Sequence, residues 1–143
     1  MGVVRVSAFV VALCILPSIH AAAQAVNWPN CLKHLGGGGF GDFDCYGWQS
    51  KRLEGDNAKI VKKIWQVDGT TSADKASLDR YMRSQDEAVK SCDLAVDLSY
   101  SWKIDVPPKT HINMYDVMGA KCRYQIRKQQ NEYLRDLYSI HTG

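Results

Sequence analysis

The sequence predicts an all-α protein, a small antiparallel three- to four-helix bundle stapled by two disulfides. Three observations carry that expectation. Apolar residues recur at three- and four-residue steps over three long stretches, and no stretch shows comparable alternation of the strand type. Turn-forming clusters at 68–72 and 107–108 separate those stretches. Cys31, Cys45, Cys92 and Cys122 lie beyond the first 25 residues, and an even set of cysteines in an exported chain reads as disulfides.

Residues 1–25 read as an export signal. Arg5 is their only charge, and an apolar stretch from Val6 to Ile19 follows it. That stretch falls short of the about 20 apolar residues that span a bilayer. Pro17 ends it, and Ala23-Gln24-Ala25 fits the small-x-small rule for cleavage after Ala25. Cys14 follows Leu13, where a lipoprotein would carry a small residue, so it leaves with the signal. The expected destination is the periplasm or the medium, with no membrane attachment after cleavage.

Removing Arg5 lowers the formal charge from +3 to +2, since the first 25 residues hold no other charged group. Such a near-neutral balance implies neither nucleic acid nor an anionic membrane as partner. The remaining chain, 26–143, has the length of one domain.

Within it, residues 26–42 form a Gly-rich arm, with Pro29, the run Gly36–Gly39 and Gly41 too permissive for a helix. The first helix is expected over Phe43–Val67, where Leu53, Ile60, Ile64 and Val67 recur at helical steps; Gly55 marks the place for a break. Asp68-Gly69-Thr70-Thr71-Ser72 stops it and offers Thr71 or Ser72 as the next N-cap.

The second helix carries an apolar stripe of Leu78, Met82, Gln85, Val89, Cys92, Val96 and Ser99, and should end near Trp102 ahead of Pro107 and Pro108. The third begins around Ile112, capped by Thr110 or Asn113, and is expected to bury Tyr115, Met118, Cys122, Ile126, Tyr133, Leu137 and Ile140.

Helix arithmetic ranks the cysteine pairings. At about 1.5 Å per residue, Cys45 and Cys92 lie equally far from the first turn, about twenty residues each. Cys122 matches Cys92 about the second turn in the same way, and Cys31 arrives on the arm. Cys45–Cys92 with Cys31–Cys122 is the preferred arrangement; Cys31–Cys45 with Cys92–Cys122 is nearly as compatible. A metal site is not expected, because Cys31-x-x-His34 lacks a second ligand pair.

No nucleophile elbow, phosphate loop, H-E-x-x-H or C-x-x-C-H occurs. His34, His111 and His141 are isolated in sequence. The expectation is a non-enzyme with no cofactor.

Two surface features fit a protein partner instead. Asp79, Asp86, Asp93 and Asp97 share one side of the second helix, with Lys75, Arg83 and Lys90 in reach to neutralise them. The connection Val106–His111 holds Pro107, Pro108, Lys109 and His111, and its two prolines preorganise it for contact. Lys121, Arg123, Arg127, Lys128 and Arg135 make the last helix basic, yet no nucleic-acid docking motif accompanies them. A rival reading is a small ligand carrier or structural protein, since Trp28, Trp48, Trp65 and Trp102 are available to line a pocket.

The cysteine frame resembles that of the lysozyme inhibitor LprI family. The likeness rests on Cys31-Leu32, Gly36-Gly37 and Asp44-Cys45 at the opening, then Glu54, Asp56 and Asn57 in the first helix. Cys92 takes the place of the third cysteine, and Asn113-Met114-Tyr115, Cys122, Ile126, Gln130 and Leu134 match the closing segment. Leu78, Tyr81, Gln85 and Asp86 stand where the family carries a Gln, a Trp and an Arg-Asp pair. The resemblance implies a periplasmic helical protein that blocks lysozyme or a related wall hydrolase by occupying its active-site cleft. The chain is similar in outline to amidase immunity proteins of type VI secretion as well, which implies the same mode of action against a secreted cell-wall amidase.

Overall fold

A computed structural model describes residues 31–32, 39–104 and 110–142. The first helix, α1 (Phe40–Trp65), begins as soon as the glycine run ends and passes through Gly55 unbroken. Each interior glycine costs about 1 kcal/mol of helix propensity. Burial of Tyr46, Gln49, Leu53, Asn57 and Val61 along one face outweighs that. Gly69 takes the left-handed conformation after the helix, with φ 86°, and the Thr70 hydroxyl closes the turn by donating to the Ile64 carbonyl at 3.1 Å.

Thr71 caps α2 (Ser72–Lys90) in a reciprocal box. Its hydroxyl accepts the Asp74 amide at 3.2 Å, while the Asp74 carboxylate accepts the Thr71 amide at 3.0 Å. The Thr71 hydroxyl, which also donates to the Asp74 carboxylate at 2.6 Å, and next the Thr71 amide hold the Asp74 carboxyl below its ordinary pKa.

The single second helix expected from the sequence is divided. A 3₁₀ turn at Ser91–Asp93 separates α2 from α3 (Leu94–Ser101). At that point the Cys92 carbonyl presses on Gly119 of the last helix, 3.0 Å from where a Cβ would sit. Lys103 ends α3 in the left-handed region at φ 57°. The Ile104 amide reaches back to Ser99 and the Lys103 amide to Tyr100, the Schellman pattern.

α4 (Met114–Thr142) is capped by Asn113. Its side chain accepts the amides of Tyr115 and Asp116 at 2.8 and 3.4 Å, and Asp116 accepts the Asn113 amide at 2.8 Å.

α4 is the axis of the bundle. α1 runs parallel to it, through the pairs Tyr46–Tyr124, Asn57–Asn131 and Lys63–Tyr138. α2 and α3 run antiparallel to it, through Tyr81–Tyr133, Asp86–Arg127 and Cys92–Cys122. Successive long helices therefore alternate in direction, and the all-α bundle with two disulfides is as expected.

The disulfide pairing corrects the preferred one. Cys31 bonds Cys45 and Cys92 bonds Cys122. Equal height does not bring Cys45 to Cys92, because α1 and α2 both pack on α4 rather than on each other.

The expected core of the last helix is also corrected. Met118, Tyr133, Leu137 and Ile140 are exposed, Ile140 at 79%. Tyr115, Cys122 and Ile126 are half-buried. The buried face lies to one side, on Val117, Ala120, Tyr124, Arg127, Gln130, Asn131 and Leu134, because it is α1 that seals α4. Cys31, Tyr46, Leu53, Val117, Ala120 and Tyr124 form one apolar cluster near the disulfide end, with Phe43, Cys45 and Ile112 against it.

Candidate functional site

Beyond Leu53, and before the buried Val61 and Leu134, the α1–α4 interface holds a polar stretch. Asn57, Gln130, Asn131 and Arg127 are all buried, Arg127 at 6% exposure. The Asn57 amide donates to Gln130 Oε1 at 2.9 Å and to the Arg127 carbonyl at 3.2 Å. Its carbonyl oxygen accepts the Asn131 amide at 2.7 Å. Asn131 in turn accepts Arg135 Nε at 2.7 Å, and Arg127 Nη1 donates to Gln130 at 3.1 Å. Arg127 Nη2 then reaches Asp86 of α2 at 2.8 Å. The ladder so formed ties three helices in one register.

Its chemistry is that of a scaffold. Amides and a guanidinium provide no nucleophile and no group that gains or loses a proton near neutrality. Buried polar groups that satisfy one another resist sliding of the helices, because any shift leaves donors and acceptors unmatched.

Two of the four aspartates on the expected acidic side are turned to α4. Asp86 holds Arg127, and Asp93 holds Arg123 at 2.5 Å. The acidic side of the second helix and the basic side of the last are thus each other's counter-charges at these positions, a complementarity visible only once the two helices are known to be neighbours. Lys90 pairs with Glu87 at 2.7 Å instead of with the aspartate stripe, and that carboxylate raises its ammonium. Asp97 is exposed and makes no ion pair among the described residues. His111 is exposed. Pro107, Pro108 and Lys109 lie outside the described residues.

The two described ends of that connection carry an unexpected apolar surface. Trp102 and Ile104 leave α3, Met114 and Met118 open α4, and these four side chains are 49–61% exposed. The sequence pattern points Met118 to the core, and Trp102 to a helix end or a pocket wall. Their proximity to the Pro107-Pro108 dipeptide was the available signal.

Among the described residues no group of three or more His, Cys, Asp or Glu side chains is placed to hold a metal ion. Among the described residues no helix is long and apolar enough to cross a membrane. Comparison with protein-family models, with curated proteins and with solved structures finds no match.

Proposed function

We propose that this chain is an exported binding protein that inhibits lysozyme or a related peptidoglycan hydrolase by occupying its active-site cleft, and that the contact is made by the α3–α4 end. The observation that carries this reading is the exposed set Trp102, Ile104, Met114 and Met118 flanking a double-proline connection. Aromatic and methionine side chains are enriched in protein interfaces, and large exposed apolar patches mark binding surfaces. The Cys92–Cys122 bridge, together with α3 packed on α4, stiffens this end, so little conformational freedom is lost on docking. The export signal and the cysteine frame resembling the lysozyme inhibitor family supply the class of target.

The test is a lysis assay with the purified, oxidised mature protein against lysozyme and against a cell-wall amidase, paired with a pull-down of each enzyme. Protection from lysozyme at micromolar protein is expected. Trp102→Ala with Met118→Ala should weaken protection at least tenfold without changing the far-ultraviolet circular dichroism. Protection from the amidase alone would move the target to that enzyme. Neither binding nor protection from either would remove the proposal.

A further inference from the structure

At the opposite end of the bundle, the last turn of α1, the first turns of α2 and the C-terminal third of α4 enclose an open cavity of about 270 Å³. Its apolar walls are Ile64, Trp65, Leu78, Tyr81, Tyr133 and Leu137. Tyr81 and Tyr133 meet at 5.0 Å between ring centroids, tilted by 56°, and make one continuous aromatic wall. Tyr133 and Leu137 are exposed on it, so the cavity is open to entry from solvent.

The polar residues that share the lining differ in what they have left to offer. Thr70 donates its hydroxyl to the Ile64 carbonyl. The Asp74 carboxylate already accepts both the amide and the hydroxyl of Thr71, at 3.0 and 2.6 Å. The Ser77 hydroxyl donates to the Ala73 carbonyl and accepts from Arg80. Lys75 alone of the charged lining groups has no side-chain hydrogen bond or ion pair among the described residues. It sits in the opening turns of α2, where the helix dipole favours a negative charge.

We infer that this cavity binds a small organic monoanion, an apolar ring or branched chain bearing one carboxylate, with the body against Leu78, Tyr81, Tyr133 and Leu137 and the carboxylate on Lys75. The volume sets the size, since pockets for drug-sized ligands begin at about 300 Å³, so a single-ring molecule fills this one. The sign of the ligand follows from the side chains. The one uncommitted charge is cationic, and the carboxylate beside it is already hydrogen-bonded. An exposed lysine contributes little by itself, so the apolar body supplies most of the affinity and Lys75 supplies the choice among ligands.

The test uses the oxidised mature protein and three probes of one shape: 3-phenylpropionate, 3-phenylpropanol and 3-phenylpropylamine. Binding is followed by two-dimensional NMR, where the Trp65 indole N–H is a reporter inside the lining. The acid is expected to saturate with a dissociation constant below about 1 mM, the alcohol about three- to tenfold more weakly, and the amine most weakly. Lys75→Met removes the preference for the acid while leaving the alcohol's affinity unchanged. Tyr133→Ala weakens all three at least tenfold. No saturable shift with any probe up to several millimolar overturns the inference, as does an amine that binds as well as the acid or a Lys75→Met protein that keeps the acid's advantage. Because the readout is ligand occupancy at the far end of the bundle, its failure leaves the hydrolase reading untouched.

Discussion

Asn131 donates to Asn57 across the α1–α4 interface at 2.7 Å, with both side chains sealed from solvent. This bond sits at the middle of the polar ladder, so its removal leaves more than one orphan. Asn57→Ala strips the Asn131 amide of its acceptor and removes a donor from the Gln130 oxygen and the Arg127 carbonyl. A buried unsatisfied group costs about 1–3 kcal/mol, and the expected loss is about 2–4 kcal/mol in urea denaturation. Asn57→Leu with Asn131→Leu should lose less than the two single changes added together, since both partners then vanish. A loss below about 1 kcal/mol for Asn57→Ala would show that the ladder does not hold the interface.

The two aspartate–arginine pairs should separate by burial. Arg127 is buried, and Asp86, whose side chain is 53% exposed, is its only ion-pair partner among the described residues. In the other pair Asp93 is 63% exposed and Arg123 31%. Removing one partner of a fully buried pair costs about 3–5 kcal/mol, and solvent at Asp86 screens part of that. Asp86→Ala is therefore expected to destabilise by about 1–3 kcal/mol and Asp93→Ala by about 0–1 kcal/mol. The same contrast should persist in 0.5 M salt, which screens the exposed pair more strongly than the buried one. Equal losses in the two variants would contradict the burial argument.

Much of the fold was legible because it is written in local signals. Thr71 and Asn113 announce their helices by capping chemistry that spans three residues, and Asp68–Thr70 and Pro107-Pro108 interrupt the pattern between them. The α4 core was not legible because the middle of its buried face, Arg127, Gln130 and Asn131, is polar. Arg127, Gln130 and Asn131 look like a solvated surface in isolation, and their partner Asn57 lies 70 or more residues away. Choosing the most apolar stripe therefore selected Met118, Tyr133, Leu137 and Ile140, which α2 and α3 leave exposed. The cysteine pairing failed for a related reason. Rise per residue gives height along a bundle, while the choice of neighbour around α4 is a tertiary property. The exposed end at Trp102 and Met114 lies between those extremes, since its residues were visible and their exposure was not.

Glycines in the helices should respond in opposite directions to alanine. Gly47 and Gly55 face open space on α1, with nothing within 4 Å of an added Cβ. Alanine there is expected to stabilise by about 0.5–1 kcal/mol through propensity. Gly119 has the same intrinsic preference, but its Cβ would lie 3.0 Å from the Cys92 carbonyl oxygen. That oxygen is backbone in a turn pinned by a disulfide and cannot move aside cheaply. Gly119→Ala should lower the thermal midpoint, while Gly47→Ala and Gly55→Ala raise it. A Gly119→Ala protein more stable than its parent would mean that the α3–α4 contact is looser than the structure has it.

The buried tyrosine pair makes stability sensitive to alkali. Tyr46 and Tyr124 stack with centroids 5.5 Å apart inside the apolar cluster. Burial raises both hydroxyls; the Asp42 charge adds to the rise of Tyr46, and Tyr46 adds to that of Tyr124. The unfolded chain releases these protons near pH 10, the ordinary tyrosine value, and the folded chain releases them later. Between those two points the native state holds more protons than the unfolded one, so stability falls as pH rises. The contribution is complete below about pH 10 and is lost as pH climbs through the folded values. Urea midpoints measured from pH 8 to 12 should be flat in this respect up to about pH 10 and then decline. Tyr124→Phe should shallow that decline while lysine deprotonation, common to both proteins, cancels in the comparison. Absorbance at 295 nm should show part of the tyrosine signal ionising late in the native protein and together with the rest in urea. Superimposable curves for parent and variant above pH 10 would mean that the pair ionises as it does in the unfolded chain.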